Sequence, residues 1–328
     1  MKRIEWLCPI PDCSIEDLRK SNLASIRLRT AVSAQAAKAS GCRIAFSDGQ
    51  RRAPADLVIV GKIDFISDIL RPKRWLEHLH ITRQKKTPIV IDYTDNHLAV
   101  DNPAARFYKE ALNLADTIVC SSQTLADHLA DHTSCERIVI EDPIEVSIKA
   151  PFDRQNDSLT ALWFGHASNL RYLIDYLRDE FRVDKSTRLI LVTNAYPLPQ
   201  ELADQLNCPE LDSVEVNVVP WSLDDMVAAA AISDVCLLPA GVDDPRKNGA
   251  SSNRLLTALA LGLPVAADLL PSYLPFRSYF LDLRSKELKC LLNDPTQYFK
   301  GVEKAQALIR SKYTKTRIAS NWVAVLGA

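Results

Sequence analysis

Short apolar, β-rich runs recur along the chain, separated by longer stretches in which apolar residues return every three or four positions. The first periodicity marks buried strands and the second amphipathic helices. In the first half, strands are predicted over 4–7, 43–46, 56–60, 89–93, 117–120 and 137–140. Helices are predicted over 22–39, 71–81, 103–115 and 123–131. The third has a defined start, because Asn102 can cap it and Pro103 suits the first helical position. Between 142 and 158 the pattern stops, with Pro143, Pro151 and the polar run DRQNDS, which reads as an interdomain linker. A second alternating set follows, with strands over 162–164, 188–192, 214–219, 235–238 and 264–266. Its helices are expected over 169–181, 198–206, 223–231 and 252–261. Three more helices close the chain, over 286–292, 297–312 and 316–326. Strands spaced by helices imply βαβ units and parallel sheets. The expectation is an α/β protein of two doubly wound domains, 1–150 and 151–328, with a site in a cleft between them, beyond the carboxyl ends of the strands.

Composition narrows the function. The 328 residues include 40 Lys+Arg against 41 Asp+Glu, a formal charge of −1, which disfavours a polybasic nucleic-acid binder. Only nine glycines are present, no two closer than eight positions, so neither G-x-G-x-x-G nor G-x-x-x-x-G-K-[ST] exists here. A nucleotide, if bound, is bound in another way. The opening MKRIEWLCPIPD turns polar too soon for a signal-peptide core, and the longest apolar stretch, 255–267, is interrupted by Gly262 and Pro264. Eight scattered cysteines without a C-x-x-C pair suggest reduced thiols, and the expected location is the cytoplasm.

The richest segment is DVCLLPAGVDDPRKNGASSNRLLTALALGLPVAADLL, residues 234–270. A buried strand ends near Pro239, a polar loop carries Asp243, Asp244, Arg246 and Lys247, and a helix starts near Ser252 with Asn253 and Arg254 in its first turn. A helix N-terminus offers unpaired N–H groups and positive dipole to an anion, so Lys247 and Arg254 there suit a phosphate. Equally, Ser251 or Ser252 would cap such a helix with its charges merely solvated.

Pro239, Lys247, Asn253, Arg254, Ala258, Ala260, Gly262, Pro264 and Val265 together resemble the donor-binding segment of GT-B glycosyltransferases, the retaining family 4 type in particular. ALWFGHASN (161–169) resembles the first strand and glycine turn of that family's C-terminal domain. The turn VPWS (219–222) resembles its base-contacting loop. VIDYTDNHL and ADTIVCSSQTLADHL resemble later strands of its N-terminal domain. The resemblance implies a GT-B fold of two Rossmann-like domains, with the last helix packed back on the first. It implies sugar transfer from a nucleotide-sugar donor to a hydroxyl acceptor, a saccharide or lipid-linked molecule, in making surface polysaccharide or glycolipid. The nucleotide sugar is a substrate, and neither cofactor nor metal is expected. Gly165, Asn169, Trp221, Lys247, Ser252, Asn253 and Arg254 are the implied donor-binding residues. The family's glutamate pair falls here on Gly249 and Thr257, neither acidic. That departure keeps open a non-catalytic GT-B partner or regulator, and it disfavours a sugar-nucleotide epimerase.

In the first half, Asp92-Tyr93-Thr94-Asp95-Asn96-His97 follows an apolar strand. A transfer enzyme must manage an acceptor hydroxyl and a leaving phosphate, so a carboxylate and an imidazole are useful there. Asp95 and His97 are the candidate catalytic residues; an Asx-rich turn is the plain alternative. His128 and His132 sit one helical turn apart on what reads as a solvated face, and His166, Ser121 and Ser122 suit turns and caps. Arg27 and Arg29 suit either an anion or an outer face. Between 71 and 86 lie Arg71, Lys73, Arg74, Arg83, Lys85 and Lys86 against one acid, Glu77. Arg71, Arg74 and His78 share a helix face that could rest on an anionic membrane, which would make the protein peripheral at its inner face.

Overall fold

The computed structural model describes residues 1–50, 54–64, 66–153, 158–181, 186–207, 211 and 214–327. Cys208 and most of the DRQNDS run lie outside them. The chain forms two compact units. The first comprises Met1–Pro143, Asp243–Ser251 and Tyr313–Ala328, and the second Ile144–Val242 and Ser252–Lys312.

In the first unit the chain runs β1 (Arg3–Leu7), α1 (Ile15–Arg19), a π-helical turn (Ile26–Thr30), α2 (Ala31–Ala39), β2 (Arg43–Ser47), β3 (Leu57–Val60), α3 (Arg71–Gln84), β4 (Ile89–Tyr93), α4 (Pro103–Leu114), β5 (Thr117–Cys120), α5 (Gln123–His128) and β6 (Glu136–Val139). All pairings are parallel, in the order β2-β1-β3-β4-β5-β6. β4 lies inside the sheet and every residue of it is buried, which is why its sequence is an unbroken apolar run around one aspartate. α4 starts as its sequence requires, Asn102 Oδ1 accepting from the Ala105 N–H at 2.8 Å. The stretch expected as one helix over 22–39 instead opens with the π-helical turn, and both of its arginines are buried.

The second unit contains β7 (Leu159–Gly165), α6 (Leu170–Asp179), β8 (Thr187–Thr193), α7 (Gln200–Leu206), β9 (Val214–Pro220), α8 (Leu223–Ala231), β10 (Val235–Leu238), α9 (Asn253–Ala260), β11 (Val265–Ala267), β12 (Leu281–Asp282), α10 (Leu288–Asn293) and α11 (Phe299–Lys312). The sheet is again parallel, ordered β12-β11-β10-β7-β8-β9. Much of the segment expected as a linker is part of this unit. Ile144 and Val146 are buried, the Lys149 N–H bonds to the Ala260 carbonyl at 2.8 Å, and Gln306 Nε2 donates to the Lys149 carbonyl at 2.7 Å.

Of the closing helices, only the last, α12 (Lys315–Leu326), belongs to the first unit. Ile318, Trp322 and Leu326 are buried in one core with Ile4, Trp6, Ile26, and Ala31, Ala34, Ala36 and Ala37 of α2. The Trp6 and Trp322 rings lie 5.7 Å apart. Small side chains on α2 let α12 approach closely, and the tryptophans fill what remains.

Candidate functional site

In parallel sheets of this kind ligands bind beyond the carboxyl ends of the strands, nearest the point where strand order reverses. In the first sheet that point lies between β1 and β3, and in the second between β7 and β10. The candidate residues after β4 and β7 stand beside these points.

After β4 the two aspartates part company. Asp92 is 2% exposed and takes Arg29, 1% exposed, through Nε at 2.7 Å. Arg29 also reaches Asp142 Oδ1 at 2.9 Å and the Ile140 carbonyl at 2.7 Å. Arg29 therefore meets carboxylates of its own unit, not an external anion or an outer face, and Asp92 is closed to substrate. Arg27 is likewise buried and donates to the Ser21 carbonyl at 2.7 Å.

Asp95 remains partly open. It forms an ion pair with Lys62, which follows β3; the side chains are 38% and 39% exposed. Lys62, His97 and Lys247 together hold the Asp95 carboxyl well below the usual carboxylate range, against the opposing effect of its own burial. His97 stacks on Tyr108 with ring centroids 4.6 Å apart and meets Tyr93 edge-on. Its Nε2 lies 4.0 Å from Asp95 Oδ2, too far for a hydrogen bond, and is buried without a protein partner. Burial depresses the His97 pKa to about 4, more than the nearby Asp95 raises it. This end of the sheet thus offers an ionised carboxylate and a neutral imidazole. Asn96 is turned elsewhere, its Nδ2 near His128 Nδ1 at 3.2 Å and donating to the Pro245 carbonyl at 3.0 Å.

That last bond fixes the loop Asp243–Ser251. Ser122 Oγ donates to the Gly249 carbonyl at 3.1 Å, beyond its expected capping of α5. A Cβ on Gly249 would stand 2.3 Å from Leu125 Cδ2. Glutamate at 249 would force the buried Leu125 side chain or the loop itself to move. Lys247 consequently belongs to the first unit and acts on Asp95, whereas Arg254 belongs to the second.

In the second unit, Arg254 leans from the first turn of α9 onto the end of β7. Its Nε donates to the Phe164 carbonyl at 2.8 Å, and its Cζ lies 5.1 Å from the Trp163 ring centroid. Nη2 is buried with no protein partner. A Cβ on Gly165 would stand 3.2 Å from Arg254 Cζ, so a side chain there would push the guanidinium aside by a few tenths of an ångström. Ser252 precedes α9 without capping it through its side chain, and Asn253 Oδ1 accepts from Thr257 Oγ1 at 3.0 Å. Thr257 is buried, so the second position of the family's glutamate pair is a helix-internal contact. Asn169 precedes α6, its N–H bonded to the His166 carbonyl at 2.9 Å. Trp221 follows β9, its N–H bonded to the Thr193 carbonyl at 2.8 Å. The structure thus brings Gly165 and Arg254 into contact, keeps Asn169, Ser252 and Asn253 beside them in sequence, sets Trp221 two strands away, and assigns Lys247 to the other unit.

The basic run 71–86 is divided, with Lys73, Arg83, Lys85 and Lys86 exposed. Arg71 and His78 are buried, bonded to Asp64 and Glu5 respectively, and Arg74 pairs with Asp48 and Asp68. Arg83 pairs with Asp116. No helix among the described residues is long and apolar enough to cross a membrane.

No protein-family model matches the chain, and no curated protein does. Solved structures do match in fold. The lipopolysaccharide outer core galactosyltransferase WaaB, apo form, aligns over 100% of this chain and 99% of its own, at 14% identity and a TM-score of 0.61. An α-glucosyltransferase in complex with UDP and a 13-mer DNA containing a central A:G mismatch aligns over 100% of both chains, at 10% identity and a TM-score of 0.64. TarM aligns over 83% of this chain, which spans 55% of TarM's, at 12% identity and a TM-score of 0.58. The chain has the GT-B fold, two Rossmann-like units with parallel sheets.

Proposed function

We propose that the protein is a glycosyltransferase that moves a sugar from a nucleotide-sugar donor to a hydroxyl acceptor, in the cytoplasm, in making a surface polysaccharide or glycolipid. The observation that carries this is Arg254, a guanidinium seated on the Gly165 turn with one buried, unpartnered nitrogen. It stands at the mouth of a helix whose first amides lack a side-chain cap, so charge and dipole favour the same anion. The leaving group of the reaction is that anion. Asn169, Ser252, Asn253 and the Trp221 turn complete the donor side.

On the first unit, Asp95 and His97 serve the sugar and the acceptor. The bond between the anomeric carbon and the phosphate oxygen breaks, a bond to the acceptor oxygen forms, and the acceptor proton leaves with the diphosphate or to water. An ionised Asp95 accepts a hydrogen bond from a hydroxyl in this process, and a neutral His97 can do the same. Lys247 adds a cation beside them. The structural neighbours support the donor class, since one holds UDP and another is a galactosyltransferase. One neighbour also holds DNA. The near-zero charge of this chain argues against a nucleic-acid acceptor. Retention of configuration and independence from metal belong to the same proposal.

The test is a panel of nucleotide sugars incubated without acceptor, scored for slow release of free sugar. Release from one donor, undiminished by EDTA, supports the reading, and the anomer trapped by methanol reports the stereochemistry. The non-acidic Gly249 and Thr257 favour a second reading, a GT-B binding partner without turnover. Nucleotide binding with no release from any donor would favour it.

A further inference from the structure

Lys62 carries no sequence signature, yet it stands two residues beyond β3, beside the reversal of strand order in the first sheet. Three groups converge on one oxygen, Asp95 Oδ2. The Lys62 ammonium pairs with it, Thr94 Oγ1 lies 3.5 Å away, and His97 Nε2 lies 4.0 Å away. The neighbouring carboxylate, Asp92, is bonded to Arg29 in the interior. Asp95 is therefore the acid of this segment open to a substrate, and Lys62 is its ion-pair partner.

We propose that Lys62 is a positioning residue for sugar transfer, fixing Asp95 in one orientation and keeping it ionised so that it can accept a hydrogen bond from a substrate hydroxyl. The proposal rests on the sugar-transfer reading above. A lysine suits the task, since its compact charge pairs with one oxygen without the two-point grip of a guanidinium. The groups acting on Asp95 come from several elements: Lys62 after β3, His97 on its own segment, and Lys247 from the loop Asp243–Ser251. The hydroxyls of Tyr93 and Tyr108 lie near, and Asp142 acts on Lys62 itself. An opposite charge this close lowers a carboxyl pKa by about 1–3 units.

The experiment uses the full chain labelled with 13C at aspartate carboxyl carbons, the Asp95 signal assigned through Asp95→Asn. In the unmodified protein the Asp95 signal should stay that of a carboxylate throughout the acid range in which the fold survives. In Lys62→Met its midpoint should rise by about one unit or more, and Lys62→Arg should restore it. The acidic limb of kcat/KM should move up by the same one unit or more in Lys62→Met, with donor KM unchanged. Asp95 titrating in the ordinary carboxylate range in the unmodified protein overturns the proposal, whether or not the Met variant folds. So does a Met variant with native circular dichroism whose titration and pH profile match the unmodified protein. A moved titration without turnover of any nucleotide sugar overturns the transfer reading and the role of Lys62 within it. An active enzyme with an unmoved titration overturns the Lys62 assignment alone.

Discussion

On the proposed reading, removing the Arg254 guanidinium should separate phosphate recognition from nucleoside recognition by an amount that can be worked out. In Arg254→Ala, the Phe164 carbonyl loses the donor it has at 2.8 Å and the Trp163 ring loses the cation above it. Those losses lower stability of the unliganded protein by about 1–3 kcal/mol, so unfolding temperature alone is uninformative. The informative quantity is the increment added by ligand. A hydrogen bond to a charged group contributes ~1.5–3 kcal/mol, which corresponds to a roughly 10- to 100-fold loss of diphosphate affinity. At a ligand concentration 100 times Kd the unmodified protein gains ~2.7 kcal/mol, and a variant binding 100-fold more weakly gains only ~0.4 kcal/mol. The nucleoside alone should give both proteins the same increment. Gly165→Ala is the companion variant, because its new Cβ would stand 3.2 Å from Arg254 Cζ and displace the guanidinium without deleting it. Its loss should be smaller but equally confined to the diphosphate. Calorimetry and denaturant unfolding, with nucleoside and nucleoside diphosphate in parallel, check both. Equal losses for the two ligands, or none for either, would refute the assignment of Arg254 to the phosphates.

Lys247→Ala should raise the Asp95 carboxyl midpoint, by less than Lys62→Met does, because Lys247 acts on Asp95 more weakly than Lys62; the same carboxyl titration measures it. Trp322→Ala should cost about 3–5 kcal/mol in urea unfolding, since the ring is fully buried against Trp6; a loss below ~1 kcal/mol would mean α12 is not needed for the first unit. Gly249→Ala, whose Cβ would stand 2.3 Å from Leu125 Cδ2, should destabilise by about 1–3 kcal/mol and raise hydrogen exchange in the loop. Adding Leu125→Ala should recover part of the exchange protection. His97, neutral in the fold with a pKa of about 4 against ~6.5 unfolded, should leave stability flat above pH 6.5. Below that the unfolded chain takes up a proton the native state refuses, so stability falls as pH drops toward 4, by roughly 2–3 kcal/mol. His97→Gln should remove that slope, measured by denaturant unfolding from pH 4 to 8.

What the sequence made legible was local. β4 and α8 have the expected bounds, because unbroken apolar runs and capped, periodic helices report on the residues beside them. Asp92 and Asp95 are indistinguishable on paper, three positions apart after one strand. Their fates differ because Arg29, distant in sequence, bonds the first and Lys62 the second. The burial of Arg71 and His78 on α3 is hidden for a related reason: their partners Asp64 and Glu5 come from another loop and strand. Lys62 itself is a single lysine in a loop and shows no periodicity or spacing. Gly249 explains itself only once Leu125 is seen beside it.

The chain passes from one unit to the other after Pro143, Val242, Ser251 and Lys312, so neither unit is a continuous stretch of sequence. This sets an order on biogenesis. A nascent chain released only as far as residue 150 displays Ile4, Trp6 and the alanine face of α2 uncovered, because Trp322 and Leu326 have not yet been translated. The sheet must wait, apolar side outward, while the whole second unit is synthesised. It also limits protein engineering, since a chimera exchanging residues 151–328 for those of another GT-B protein carries away both α12 and the loop bearing Lys247. Grafts that replace the second unit must therefore leave Asp243–Ser251 and Tyr313–Ala328 with their host.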